Sequence, residues 1–183
     1  MYGMVNKSME TLVTEKFGEQ TWQAVLKRSG VEEQFFISNE PYDDAITYKL
    51  AGAISEELIV PLSDVLFIFG EWWILKTTQE KYAGLMRSGG HNLKEFLVNL
   101  PQFHSHIMLM YPKLTPPEFR ISDRTETSLH VHYLSQREGL GDFVKGLLSG
   151  LAKLYETDVD IEWIKNSDTG STHEIFSVTW KQP

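Results

Sequence analysis

PKLTPPEF, residues 112–119, is where the chain changes texture, and its reading decides the fold. Three prolines hold this stretch extended and remove three amide donors, so a helix arriving from upstream must stop here. On the upstream side apolar residues recur at helical spacing. On the downstream side they alternate, as in half-buried strands.

Working back from the prolines, NLKEFLVNLPQFHSHIMLMY carries a stripe of Leu93, Leu97, Leu100, Ile107 and Tyr111. Its internal Pro101 is expected to kink or restart the helix. PLSDVLFIFGEWWILKT begins with Pro61 at a helix-start position and is apolar almost all round, which predicts a buried helix. DDAITYKLAGAISEEL opens on Asp43 and Asp44, acids that suit a helix N-terminus. Two further amphipathic helices precede it, one carrying Met4, Val5, Met9, Leu12 and Val13 and stopping at Gly18, the other carrying Trp22, Val25 and Leu26 and stopping at Gly30.

Forward of the prolines, FRIS, SLHVHYLS, VDIEWIK and HEIFSVTW read as strands, the last two joined by the turn-rich NSDTGS. A helix, GDFVKGLLSGLAKLYE, lies between the second and third. The predicted class is α+β: a helical N-terminal lobe packed on a C-terminal lobe with an antiparallel sheet and helices, meeting near residues 111–118. A crevice between such lobes is a natural ligand site.

The 183 residues suit one domain or two small lobes sharing a core. A net charge of −8 argues against a nucleic-acid or anionic-membrane binder, whose footprint needs excess Lys and Arg. With no Cys, disulfides, thiolate nucleophiles, zinc fingers and iron–sulfur clusters drop out. Charges at Lys7, Glu10, Glu15 and Lys16 interrupt any signal-like apolar run, and no later run reaches membrane-spanning length. A soluble cytoplasmic protein is expected.

The histidines differ by position. The helical stripe passes through His104, while His106 points about 200° away around the helix. Taken alone, His104 reads first as a hydrogen-bonded core histidine. His130 and His132 share one strand face and form a candidate metal pair, but no third ligand is near in sequence, so the plainer reading turns them to solvent. His91 and His173 sit in loop-like contexts and carry no signal. In HYLSQR, residues 132–137, Tyr133, Ser135 and Arg137 recur at every second position and should project together, three donors of which one is permanently positive. The plain account is a strand end; the sharper one is an anion grip.

A buried helical His upstream of Y-x-S-x-R resembles the haem nitric oxide/oxygen binding (H-NOX) family, relatives of the sensor domain of soluble guanylate cyclase. The likeness runs from MYGMVNK to HEIFSVTW and is strongest in FHSHIMLMYPKLTPP, HYLSQR and GLLSGLAKLY. It implies one domain over 1–183, of the stand-alone bacterial type, with a distal helical lobe at 1–60, a proximal α+β lobe at 61–183 and haem b buried between them. His104 would be the axial iron ligand, Pro117 would press on and distort the haem, and Tyr133, Ser135 and Arg137 would hold the propionates. Asp43 or Asp44 would brace Arg137. Val5, Met9, Trp73, Phe143 and Leu147 would line the distal pocket.

An iron porphyrin needs a neutral imidazole, apolar walls and clustered donors at its carboxylate rim, and this sequence supplies each. Relatives that hold oxygen carry a tyrosine where Phe143 stands, so the resemblance implies a ferrous haem sensor for nitric oxide and carbon monoxide that binds oxygen weakly. No output enzyme is encoded, and the implied partner is a separate sensor histidine kinase or cyclic-dinucleotide enzyme. Three rivals stand beside this: an oxygen-binding haem protein or haem enzyme, a metal-dependent hydrolase built on His130 and His132, and an interaction module without a cofactor.

Overall fold

The computed structural model describes residues 1–110, 116–165 and 173–181. The chain divides into two compact units, Met1–Phe69 and Gly70–Pro183.

The first unit is helical. α1 (Gly3–Phe17) ends at Gly18, whose φ of 92° is open to glycine at no steric cost. α2 (Glu19–Ser29) closes on Gly30 in the left-handed conformation. α3 (Asp44–Leu58) is capped by Asp43, whose carboxylate accepts the Ala45 amide at 2.8 Å. Met9, Leu12 and Val13 from α1, Trp22 and Val25 from α2 and Leu50 from α3 are buried together with one polar pair, in which the Thr47 hydroxyl donates to Asn6 Oδ1 at 2.6 Å.

α4 (Leu62–Trp72) begins one residue after Pro61, whose carbonyl accepts the Asp64 and Val65 amides. It is less buried than its composition predicts, since Leu62 and Ile68 are exposed. All-round apolarity says only that no face is polar; here Val65, Leu66 and Phe69 take the packing. α4 then passes into a π-helical turn (Trp73–Thr77), in which the Thr78 amide reaches back five residues to the Trp73 carbonyl.

The second unit continues with α5 (Thr78–Gly89), a helix the sequence reading left unassigned, and α6 (Leu93–Met110). α6 continues through Pro101 as one helix rather than restarting there. The ring removes the amide that would have bonded the Leu97 carbonyl, yet Leu97, Leu100 and Phe103 are buried on either side, and that burial outweighs one lost bond.

Four strands follow: β1 (Glu118–Ser122), β2 (Ser128–Leu134), β3 (Val159–Lys165) and β4 (His173–Trp180), with α7 (Gly141–Leu154) between β2 and β3. They form one antiparallel sheet in the order β1-β2-β4-β3. In β2, Leu129, Val131 and Tyr133 are buried while their neighbours are half-exposed, as strand alternation requires. The predicted NSDTGS turn lies outside the described residues, as do residues 112–115 of the proline-rich junction. Among the described residues no single helix is long and apolar enough to cross a membrane.

Candidate functional site

His104 sits on α6 beside the buried Phe103 and in helical phase with the buried Leu93 and Leu97. It is half-buried as a residue, but its Nδ1 is sealed from solvent and makes no hydrogen bond among the described residues. Burial pushes the imidazole down to about 4, and the Leu100 carbonyl one turn back offsets part of that effect without a hydrogen bond of regular geometry. The ring is therefore neutral at physiological pH. This geometry is compatible with both readings open from sequence, a core histidine leaning on the Leu100 carbonyl and a ligand. His106 is exposed, as its helical phase predicts.

Phe119, which the sequence reading passed over, links His104 to the strands. Its ring lies 4.5 Å from the His104 ring and 5.5 Å from the Tyr133 ring, and the β1–β2 register sets Phe119 directly opposite Tyr133. The apolar residue two positions past Pro117 was the available sign of it. Pro117 is half-buried just before β1, and so is Pro116.

Tyr133, Ser135 and Arg137 do come together, by a route that strand alternation alone does not give. β2 ends at Leu134, and the Ser135 hydroxyl accepts the Arg137 amide at 3.0 Å, turning the chain where alternation was expected to continue. Burial pushes the Tyr133 phenol up; a hydrogen bond with Ser135 and the positive charge of Arg137 pull the other way, and Glu174 adds to the rise. Tyr133 and Ser135 are buried and Arg137 is half-buried. Two hydroxyls and a guanidinium thus cluster at the end of β2, a donor set that fits carboxylates.

The apolar residues assigned by resemblance to a ligand pocket fall in both units. In the first, α1 carries Met9, buried, and Val5, half-buried. In the second, Trp73 opens the π-helical turn, and Phe143 and Leu147 stand one turn apart on α7, all three half-buried. Asp43 is engaged in capping α3, and Asp44 pairs with the Met1 amine.

The outer face of the sheet holds a second cluster. His130 Nδ1 is 3.0 Å from Asp123, His132 Nε2 is 2.7 Å from the Ser122 hydroxyl, and His132 Nδ1 is 3.0 Å from His173 Nε2. His173 was set aside as a loop residue; it opens β4 and belongs to this network. Among the described residues no group of three or more His, Asp or Glu side chains is placed to hold a metal ion, so the pair of His130 and His132 gains no third ligand.

The chain was compared with known proteins. A family model described as Haem-NO-binding matches residues 2–163. Soluble guanylate cyclase gcy-34 of Caenorhabditis elegans is 34% identical over 165 residues, which is 88% of this chain and 24% of that protein. Guanylate cyclase soluble subunit beta-2 of Rattus norvegicus is 32% identical over 123 residues, 64% of this chain and 18% of that subunit. The chain thus spans about a quarter or less of these relatives. Among solved structures, the fold matches the unliganded Fe(II) H-NOX protein from K. algicida with TM-score 0.88 at 22% identity, covering 100% of this chain and 98% of that one. An H-NOX protein from S. oneidensis in the Fe(II)NO state matches with TM-score 0.87 at 17% identity, covering 100% of both chains.

Proposed function

The chain belongs to the haem-NO-binding family, and from that membership we propose that it is a haem b gas sensor that takes nitric oxide and carbon monoxide on ferrous iron, holds oxygen weakly, and signals to a separate protein. In this reading the haem supplies the gas-binding iron, and the chain's own residues hold, orient and report.

His104 would hold the haem iron. The single observation that supports the reading is a buried, neutral imidazole whose Nδ1 makes no hydrogen bond of regular geometry, joined through Phe119 to the donor cluster of Tyr133, Ser135 and Arg137. That order of parts, imidazole, apolar ring, hydroxyls and guanidinium, suits a disc with iron at its centre and carboxylates on its edge. Tyr133, Ser135 and Arg137 would hold the propionates, and Pro117 would press on the porphyrin.

By the family resemblance, Val5 and Met9 of the first unit and Trp73, Phe143 and Leu147 of the second would line the distal side of the haem. None of these side chains is an acid or base that works near neutral pH, which supports reversible binding over oxygen cleavage. Phe143 offers no hydroxyl to bound oxygen, whereas nitric oxide needs none. A second reading, oxygen binding supported by the Trp73 indole N–H, rests on that donor's place at the head of the π turn.

Because His104 is built into α6, ligand arrival is felt by that helix, and a cytoplasmic histidine kinase or cyclic-dinucleotide enzyme reads the change. The chain's net charge of −8 suits docking on a basic partner face. An absorption spectrum of protein expressed with ample haem tests the core of this: a Soret band is expected, unchanged in air after reduction and shifted by nitric oxide. Absence of the band overturns the reading.

A further inference from the structure

Where the π turn meets α7, two glycines bring backbones together. A Cβ on Gly70 would fall 2.3 Å from the Phe143 carbonyl oxygen and 2.7 Å from the Leu147 nitrogen, and one on Gly150 would fall 2.9 Å from Ile74 and 3.2 Å from the Glu71 Cα. These contacts set a close approach but give it no polar grip. Glu71 does: its Oε1 accepts the Ser149 hydroxyl at 2.6 Å and also bonds the Lys153 ammonium, from a side chain only 18% exposed.

Glu71 stands two residues before Trp73, at the point where α-helical register gives way to π register. A π turn holds one extra residue, so relaxing it to α would rotate everything beyond it by about 100° relative to everything before it. Such turns persist only where both flanks are pinned. Downstream, the Thr78 hydroxyl donates to the Ile74 carbonyl at 2.7 Å, and Ile74 packs on Gly150. Upstream, Gly70 rests on α7 and Glu71 holds it there.

We propose that Glu71 is a positioning residue for gas binding: its clamp on Ser149 and Lys153 keeps the π turn in register and so fixes Trp73 relative to Phe143 and Leu147. Glu71 does not touch the ligand. It sets the width and stiffness of the distal wall, and through them the rates of ligand entry and escape; this rests on the proposed haem site.

The test compares wild type, Glu71→Ala, Glu71→Gln and Ser149→Ala as ferrous CO complexes, by CO dissociation rate and CO stretching frequency, with thermal melting alongside. Glu71→Ala should speed CO loss about three- to tenfold, since only part of what its two hydrogen bonds contribute reaches the distal wall, and broaden the stretch. Glu71→Gln keeps an acceptor for Ser149 and should recover most of the wild-type rate, even though Lys153 is unpaired. Ser149→Ala, at a half-buried position on α7, supplies the same readout should Glu71→Ala fold poorly, and should speed CO loss less than Glu71→Ala. Altered melting with unchanged rates and stretch in all three variants overturns the positioning role. A wild-type protein without a Soret band overturns the haem reading instead.

Discussion

The rings of His104 and Phe119 stand 4.5 Å apart, and Phe119 in turn lies opposite Tyr133, so a helix's imidazole and a strand's phenol lean on the same aromatic side chain. The two parts of the proposed haem site are therefore held at a common separation by one residue that binds nothing itself.

Phe119→Ala should lower unfolding stability by about 3–5 kcal/mol, the usual cost of emptying a buried ring, read by chemical denaturation. Phe119→Leu should keep most of that stability while shifting the iron–histidine stretching frequency. An unshifted frequency in the leucine variant would show that Phe119 is packing only.

His104→Gly should lose axial ligation and regain it when free imidazole is added. Ferrous spectra indistinguishable from wild type, with and without imidazole, would rule out His104 as the ligand.

Arg137→Ala should raise haem loss to an excess of apomyoglobin by about tenfold to a hundredfold, matching roughly 1.5–3 kcal/mol for a charge-assisted hydrogen bond. Tyr133→Phe should have a smaller effect, because the Ser135 hydroxyl remains. If Arg137→Ala loses haem no faster than wild type, the propionate role fails.

The outer histidines give the fold a pH dependence. Burial, then the neighbouring charges of His173 and His130, hold His132 below its ordinary 6.5, with Asp123 opposing and Arg120 adding to the depression. As pH falls through 6.5 the unfolded chain takes up this proton before the folded one does, so stability declines below that point and is unaffected by this group above it. His132→Gln should flatten the slope of melting temperature against pH between neutral and acid; an unchanged slope would assign the dependence elsewhere.

Gly141→Ala places a methyl 2.1 Å from the Trp163 ring, whose indole N–H donates to Glu174 at 2.6 Å. A destabilisation of about 1–3 kcal/mol, with altered Trp163 fluorescence, is expected. Wild-type melting would mean that the ring moves aside freely.

Much of this was legible in the sequence because local rules coincided with the outcome. Gly18 and Gly30 end their helices, Asp43 caps α3, and VDIEWIK and HEIFSVTW form strands over their full lengths. What escaped depends on contacts between distant residues. Nothing local to Trp73 marks a π turn, since its register is held from α7 by partners such as Ser149. Pro101 breaks a rule of isolated helices that buried neighbours override. Phe119 looked like one more strand residue until pairing put it opposite Tyr133. His173 gained meaning only when β4 lay beside β2 and brought it to His132. Strand alternation alone does not bring Ser135 and Arg137 to Tyr133, because β2 stops at Leu134 and a serine turn carries the chain on.

Gly70 and Gly150 press α4 and the π turn onto α7 with almost no side chain between them. A contact made of main chain has nothing in it for mutation to vary gradually, since the smallest added group already collides. Change is thereby channelled to the side chains nearby, so in the proposed haem site Trp73, Phe143 and Leu147 are the positions where substitution would tune the ligand's surroundings without disturbing the main-chain frame that presents them.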